Sequence, residues 1–262
     1  MTIYLDGGGG NRADGAAPPG RTSALRRLLT EAADRAAGRP ARVAILAPGP
    51  DGARRARDWE LVLRAAAEAP IDPVPLPVDE GGAPLDPAAL MRVDAILVTG
   101  ARGAACLSAL DAVAVDLRRL VAEGVPYYGE DGGAQIAGET AVDCGRTLHG
   151  AELAPAWPDA PERSTLAPGL GLVDITILAR AAQRGLLALA VALVDSGENG
   201  EAPVLAIDEQ TILVVGDGAL EVLGSGRAWH VRGGPEPGGT LVSTLWPASG
   251  ADGEDAESEE DA

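Results

Sequence analysis

At 262 residues and 46% hydrophobic, the chain is long enough to bury the sheet of one large α/β domain. Its formal charge of −18, with arginine as its only basic side chain apart from two histidines, argues against the positive footprint that nucleic acids and anionic membranes require. No uninterrupted apolar segment is long enough to span a bilayer, and the N-terminus enters a strand without a basic leader, so the expected location is the cytoplasm. Cys106 and Cys144 lack metal-ligand spacing and are expected as structural thiols. With His149 and His230 as the only histidines, neither a metal site nor a cofactor is expected.

Ile3-Tyr4-Leu5 reads as a first strand running into Asp6-Gly7-Gly8-Gly9-Gly10-Asn11. That glycine run lacks the dinucleotide-binding spacing, and Asp6 would repel an anion, so it reads as a close-approach turn near a site. Residues 12–21 read as loop. Thr22 or Ser23 is then expected to cap a helix with Leu25, Leu28 and Leu29 on one face. Arg42–Leu46 predicts a second strand, and a helix follows over roughly Ala53–Ala67 with Trp59, Leu61, Val62 and Leu63 on its apolar side. Ile71–Val78 is a strand punctuated by proline and therefore belongs at a sheet edge. Asp86-Pro87 opens a short helix, and Ala95–Thr99 is a buried strand ending in Gly100-Ala101-Arg102-Gly103, with a helix on to about Glu123. The strand Val125–Gly129 and a helix from Gly132 onward come next.

Residues 151–168, rich in Pro, Glu and Ala, read as an excursion. A strand at Ile175–Leu178 and a helix over Ala182–Val194 follow. Val204–Ile207, Thr211–Val215 and Ala219–Leu223 are short strands expected to extend the sheet antiparallel. The alternation of strands and helices predicts an α/β fold, a mostly parallel sheet with helices on both faces. Residues 1–234 are expected as one domain and 235–262 as an acidic, largely disordered tail, most clearly over Ala251–Ala262.

The chemistry is concentrated at Gly129-Glu130-Asp131-Gly132-Gly133-Ala134. A strand, a glycine, two residues and then Gly-Gly-Ala opening a helix is the pattern of a nucleophile elbow. The tip side chain points into the site, and small neighbours let the helix close in behind it. A plain glycine-rich turn is the bland alternative.

This stretch resembles the Gly-x-Ser-Ala-Gly-Ala elbow of peptidase family S51, which contains dipeptidase E and the cyanophycinases and has a fold like class I glutamine amidotransferases. Four further segments resemble that family in the same order: Val98–Arg102 at its oxyanion turn, Pro168-Gly169-Leu170-Gly171-Leu172, Ala206–Val214, and Glu221–Gly226. The resemblance spans residues 1–232. It implies amide chemistry by a serine and a histidine, oxyanion amides at Gly132 and Gly100, and a homodimer. Carried over by position, the serine falls on Asp131. The family's His-x-x-Gln-x-Gly falls on Arg180-Ala181-Ala182-Gln183-Arg184-Gly185, which puts Arg180 in the histidine's place. The family's acidic third member has no match within 141–168.

Both catalytic positions are therefore changed, and a serine–histidine dyad becomes an aspartate–arginine pair. An internal salt bridge is one reading; an Arg180 left open to the carboxylate of a peptide or amino acid is the other. The resemblance then implies an inactive member, a pseudoenzyme that binds a peptide or partner protein. The alternative is a divergent hydrolase of a peptide or other amide that uses Asp131 with an unassigned base; His149 and His230 could stand in for the histidine or be ordinary surface or capping residues.

Overall fold

The computed structural model describes residues 1–10, 17–78, 84–100, 102–153, 160–236 and 238–248. The elements in chain order begin with β1 (Ile3–Asp6), α1 (Pro19–Ala36), β2 (Ala41–Pro48), α2 (Gly52–Ala66) and β3 (Ile71–Val78). Next come β4 (Ala95–Gly100), α3 (Gly103–Leu110), α4 (Ala114–Ala122), β5 (Tyr127–Asp131) and α5 (Gly132–Gln135). The ribbons β6 (Thr140–Asp143), β7 (Thr147–Leu148), β8 (Ala151–Glu152) and β9 (Thr165–Pro168) lead to β10 (Thr176–Ala179) and helices α6 (Ala181–Arg184) and α7 (Leu187–Ser196). The chain closes with β11 (Val204–Ile207), β12 (Thr211–Val215), β13 (Glu221–Gly224), β14 (Ala228–Gly233) and β15 (Thr240–Leu245).

Among the described residues the main sheet has seven strands in the order β13-β12-β1-β5-β4-β2-β3. Strands β1, β5, β4, β2 and β3 run parallel, and β12 and β13 add an antiparallel margin. The fold is thus the expected α/β type, with a mainly parallel sheet. Alternation along the strands separates two cores. Tyr4, Ile45, Leu97 and Tyr128 face helices α1 and α2, whereas Leu5, Leu46, Val98 and Tyr127 face α3, α4 and α5. Strand β3 occupies an edge, as its prolines at 73, 75 and 77 require.

Several expectations change. Val204–Ile207 does not extend the main sheet: β11 lies parallel to β10 in a second sheet, ordered β10-β11-β14-β15. The chain passes from β11 to β12 through a turn at Asp208–Gln210, where Gln210 has φ 56° and its amide donates to the Gly8 carbonyl. Helix α1 starts at Pro19 rather than after Thr22 or Ser23, because proline at the first helical position sacrifices no hydrogen bond. The Thr22 hydroxyl instead donates back to the Pro18 carbonyl. Leu61 is 68% exposed, so the buried side of α2 is Trp59, Val62 and Leu63.

Three expected helices are shorter or broken. The helix after β4 is interrupted at Asp111–Val113. The one over 182–194 is divided by Gly185, whose φ of 66° ends α6 in a left-handed cap. Helix α5 is a single turn, because the carbonyls that would extend it are taken elsewhere. Leu170, Leu172 and Gly171 donate to Ile136, Ala137 and Gly138, and Gly169 to Glu139. The Gly169–Leu172 segment is therefore a strap across the end of the elbow helix. Residues 240–245, inside the stretch expected as tail, pair with β14, while Ala251–Ala262 lies outside the described residues.

Candidate active site at the elbow

Asp131 ends β5 with φ 50° and ψ −109°, a conformation rarely adopted by a residue with a side chain. Glycine is needed behind the tip. A Cβ on Gly133 would lie 2.1 Å from the Val98 carbonyl oxygen, and one on Gly129 would lie 2.5 Å from that of Gly133. The Tyr127 hydroxyl pins the same turn by donating to the Gly133 carbonyl at 2.7 Å. Gly133→Ala should therefore destabilise the fold by roughly 1–3 kcal/mol, because rigid backbone must move. Urea unfolding within 0.5 kcal/mol of wild type, on the order of a neutral surface change, would contradict this packing.

The Asp131 carboxylate, only 2% exposed, faces two guanidinium groups. Arg180 Nε lies 2.8 Å from Oδ2, although its N–H is not aligned for a hydrogen bond. Arg184 donates from Nη1 to Oδ1 and from Nη2 to Oδ2, both at 3.3 Å. Arg180 Nη1 also reaches Glu209 Oε1 at 3.3 Å. Arg180 itself has a left-handed backbone, φ 62°, at the start of α6. The Asp208 carboxylate holds that turn by accepting from the Ala182 amide at 3.0 Å, and Gln183 accepts from the Glu209 amide.

Burial pushes the Asp131 carboxyl up to about 6, outweighing the opposite pull of Arg184 and Arg180, with Glu130 and Asp6 adding to the rise. The nearby Cys106 thiol is pushed up to about 12, chiefly by burial and then by Asp131, so it is a protonated packing group rather than a nucleophile. Its sulfur packs under Gly100, where a Cβ would lie 2.4 Å away. Burial raises the Cys144 thiol to about 12 as well.

The glycine run after β1 is the close-approach turn that the sequence suggests. A Cβ on Gly7 would meet the Asp208 carbonyl oxygen at 2.1 Å, and one on Gly8 would lie 3.1 Å from Arg180 Nε. Asp6 organises this turn from beneath the sheet end. Its carboxylate accepts from the Gly8 amide at 2.8 Å, the Tyr128 hydroxyl at 2.5 Å and Arg21 Nε at 2.7 Å. Burial, and then the Asp6 charge, keep the Tyr128 phenol protonated and able to donate. Glu130 projects to this other side of the sheet, accepts from Thr99 Oγ1 at 2.5 Å, and borders a cleft of about 780 Å³ with Arg21 and Trp59.

Of the residues expected at the site, Asp131 and Arg180 meet directly. Gly132 and Gly100 abut, and it is the Gly100 carbonyl oxygen that faces Gly132, 2.6 Å from where a Cβ would stand. His149 instead pairs with Glu198 at 2.9 Å in the β7–β8 ribbon, and His230 sits on β14 opposite Leu205 and Ser243. Burial, and then Arg232, lower the His230 pKa. Sequence reasoning missed Arg184 and Glu209. The spacing of four between Arg180 and Arg184, one helical turn, was the available signal. Among the described residues, no group of three or more His, Cys, Asp or Glu side chains could hold a metal. No helix there is long and apolar enough to cross a membrane.

This strand–elbow–helix arrangement on a mainly parallel sheet is the fold of peptidases of the peptidase E type. The structure resembles the crystal structure of a peptidase from an acI-B1 Actinobacterium, with a TM-score of 0.57, 14% identity and 94% of each chain covered. It also resembles a peptidase E candidate from Listeria monocytogenes EGD-e, with a TM-score of 0.52, 12% identity, 86% of this chain covered and 98% of that one. No protein-family model matches the sequence, and no curated protein matches it.

Proposed function

We propose that this chain is a peptidase-fold pseudoenzyme, a protein that keeps the scaffold of an amide hydrolase and uses it for binding, scaffolding or regulation. The observation that carries this reading is the state of the elbow tip. Asp131 stands where the resemblance implies the serine, and Arg180 stands at the histidine position, 2.8 Å away. A guanidinium stays protonated and cannot accept a proton from a nucleophile or from water. The carboxylate faces Arg184 as well, so its electron pairs are directed at cations rather than at a substrate carbonyl. Attack on an amide would in any case leave an anhydride that needs a base for its hydrolysis. Self-association as a homodimer belongs to the same reading, by resemblance.

The test is incubation of the full chain with dipeptides, including Asp-Xaa and β-aspartyl-arginine. No release of free amino acid above the buffer blank is expected. Turnover that disappears in Asp131→Ala would overturn the proposal and identify Asp131 as a working nucleophile. Turnover that persists in that variant would trace to another site or a contaminant.

A further inference from the structure

We propose that the elbow cluster is an exchangeable carboxylate site, in which the carboxylate of a peptide or amino acid takes the place of Asp131 on Arg180 and Arg184. This rests on the non-hydrolytic reading above and names the ligand class of that same site. The two cations are more accessible than the anion they hold. Side-chain exposure is 31% for Arg180 and 18% for Arg184, against 2% for Asp131. The arginine side chains thus form the solvent-facing part of the cluster, with Arg180 Nε buried against the carboxylate.

The internal contacts are also loose. Charge-assisted N–H···O bonds are ordinarily about 2.7–2.9 Å long. Both donations from Arg184 to Asp131 measure 3.3 Å, and the closer Arg180 contact is misaligned. Arg180 is shared between Asp131 and Glu209, so no single carboxylate holds it in a planar fork. A free carboxylate can choose its own geometry, whereas Asp131 is fixed at the end of β5 by a strained backbone.

Exchange keeps the cluster electrically balanced if Asp131 takes up a proton as the ligand arrives. The groups acting on it favour that step. Arg180 and Arg184 oppose protonation, while burial, Glu130 from β5 and Asp6 from β1 promote it. The buried thiols of Cys106 and Cys144 stay neutral beside it. With Asp131 titrating at about 6, ionised Asp131 competes with the ligand above that pH. The apparent affinity should then fall about tenfold between roughly pH 5 and pH 7.

Isothermal titration of the full chain with N-acetylglycine tests this, with N-acetylglycinamide as the neutral control. N-acetylaspartic acid α-amide distinguishes a side-chain carboxylate from a terminal one, and saturable binding of either acid with none of the control supports the site. Glu209→Gln should bind severalfold more tightly, and Asp131→Asn should lose the pH dependence. Arg184→Gln, checked for wild-type circular dichroism, should lose binding. Equal binding of acid and amide, no binding of either acid, or unchanged binding by Arg184→Gln would overturn the inference. So would unchanged affinity in Glu209→Gln, a near-isosteric change at a half-buried side chain. Absence of binding without dipeptide turnover sinks this inference alone, whereas dipeptide turnover lost in Asp131→Ala sinks the pseudoenzyme reading.

Discussion

Arg21→Ala should cost the fold about 3–5 kcal/mol, the range for removing one member of a buried ion pair. The reason is what it leaves behind. Asp6 is fully buried, and Arg21 Nε meets it at 2.7 Å from a side chain only 1% exposed. The Gly8 amide and Tyr128 hydroxyl would still donate to Asp6, but neither carries charge. Arg21 also packs its guanidinium 5.4 Å above the Trp59 ring and donates to the Gly10 carbonyl, so alanine removes contacts on β1, on α2 and on the turn after β1 at once. Urea denaturation at neutral pH measures the loss. The double variant Asp6→Asn with Arg21→Met should recover much of it, because two neutral groups replace a broken pair. A loss below about 1 kcal/mol in the single variant would mean that water reaches Asp6.

The second large effect concerns pH. Asp131 titrates at about 6 in the fold and near its ordinary value of 3.8 when unfolded. Folding therefore takes up a proton across that interval. The stabilisation this supplies is complete below about pH 3.8, and it is lost as pH rises through about 6. The full difference is about 3 kcal/mol, of which roughly half falls between about pH 5 and pH 8. Asparagine cannot titrate. The stability of wild type should thus decline relative to Asp131→Asn by that amount as pH is raised, read as the difference between two urea series. Parallel curves would show that Arg184 and Arg180 fully offset the burial of the carboxylate.

The elbow was legible in the sequence because its constraints are steric. Gly129 and Gly133 have no room for a side chain, so the glycine pattern survives whatever the tip residue does. The Asp131–Arg180 contact was legible for a related reason: both positions fall in segments whose glycines fix the register. Arg184 was not, because a helix beginning at Ala182 leaves Arg180 outside it and hides the four-residue spacing that brings the two together. Only the break at Gly185 makes α6 a single turn that directs both arginines to one carboxylate. The second sheet was hidden by chain proximity. Strands β11 and β12 are separated by three residues and look like a hairpin. Gly7 lets the Asp208 carbonyl approach so closely that the chain crosses between sheets instead. Strand β15 was obscured by Gly233–Gly239 before it and by the acidic residues beyond it, although Thr240–Leu245 itself is uncharged.

The two-arginine grip on Asp131 also bears on how such a site could change over generations. Asp131→Ser alone would remove the carboxylate that Arg180 and Arg184 share, while Glu209 would still contact Arg180. Changing either arginine first would leave a deeply buried carboxylate with half its counter-charge. Each single substitution at Asp131, Arg180 or Arg184 therefore upsets the charge balance among the three. Arg184, which no catalytic motif would draw attention to, ties the three positions together: a neutral pair at 131 and 180 would still leave its guanidinium at the elbow, so discharging the tip takes three coordinated substitutions rather than two.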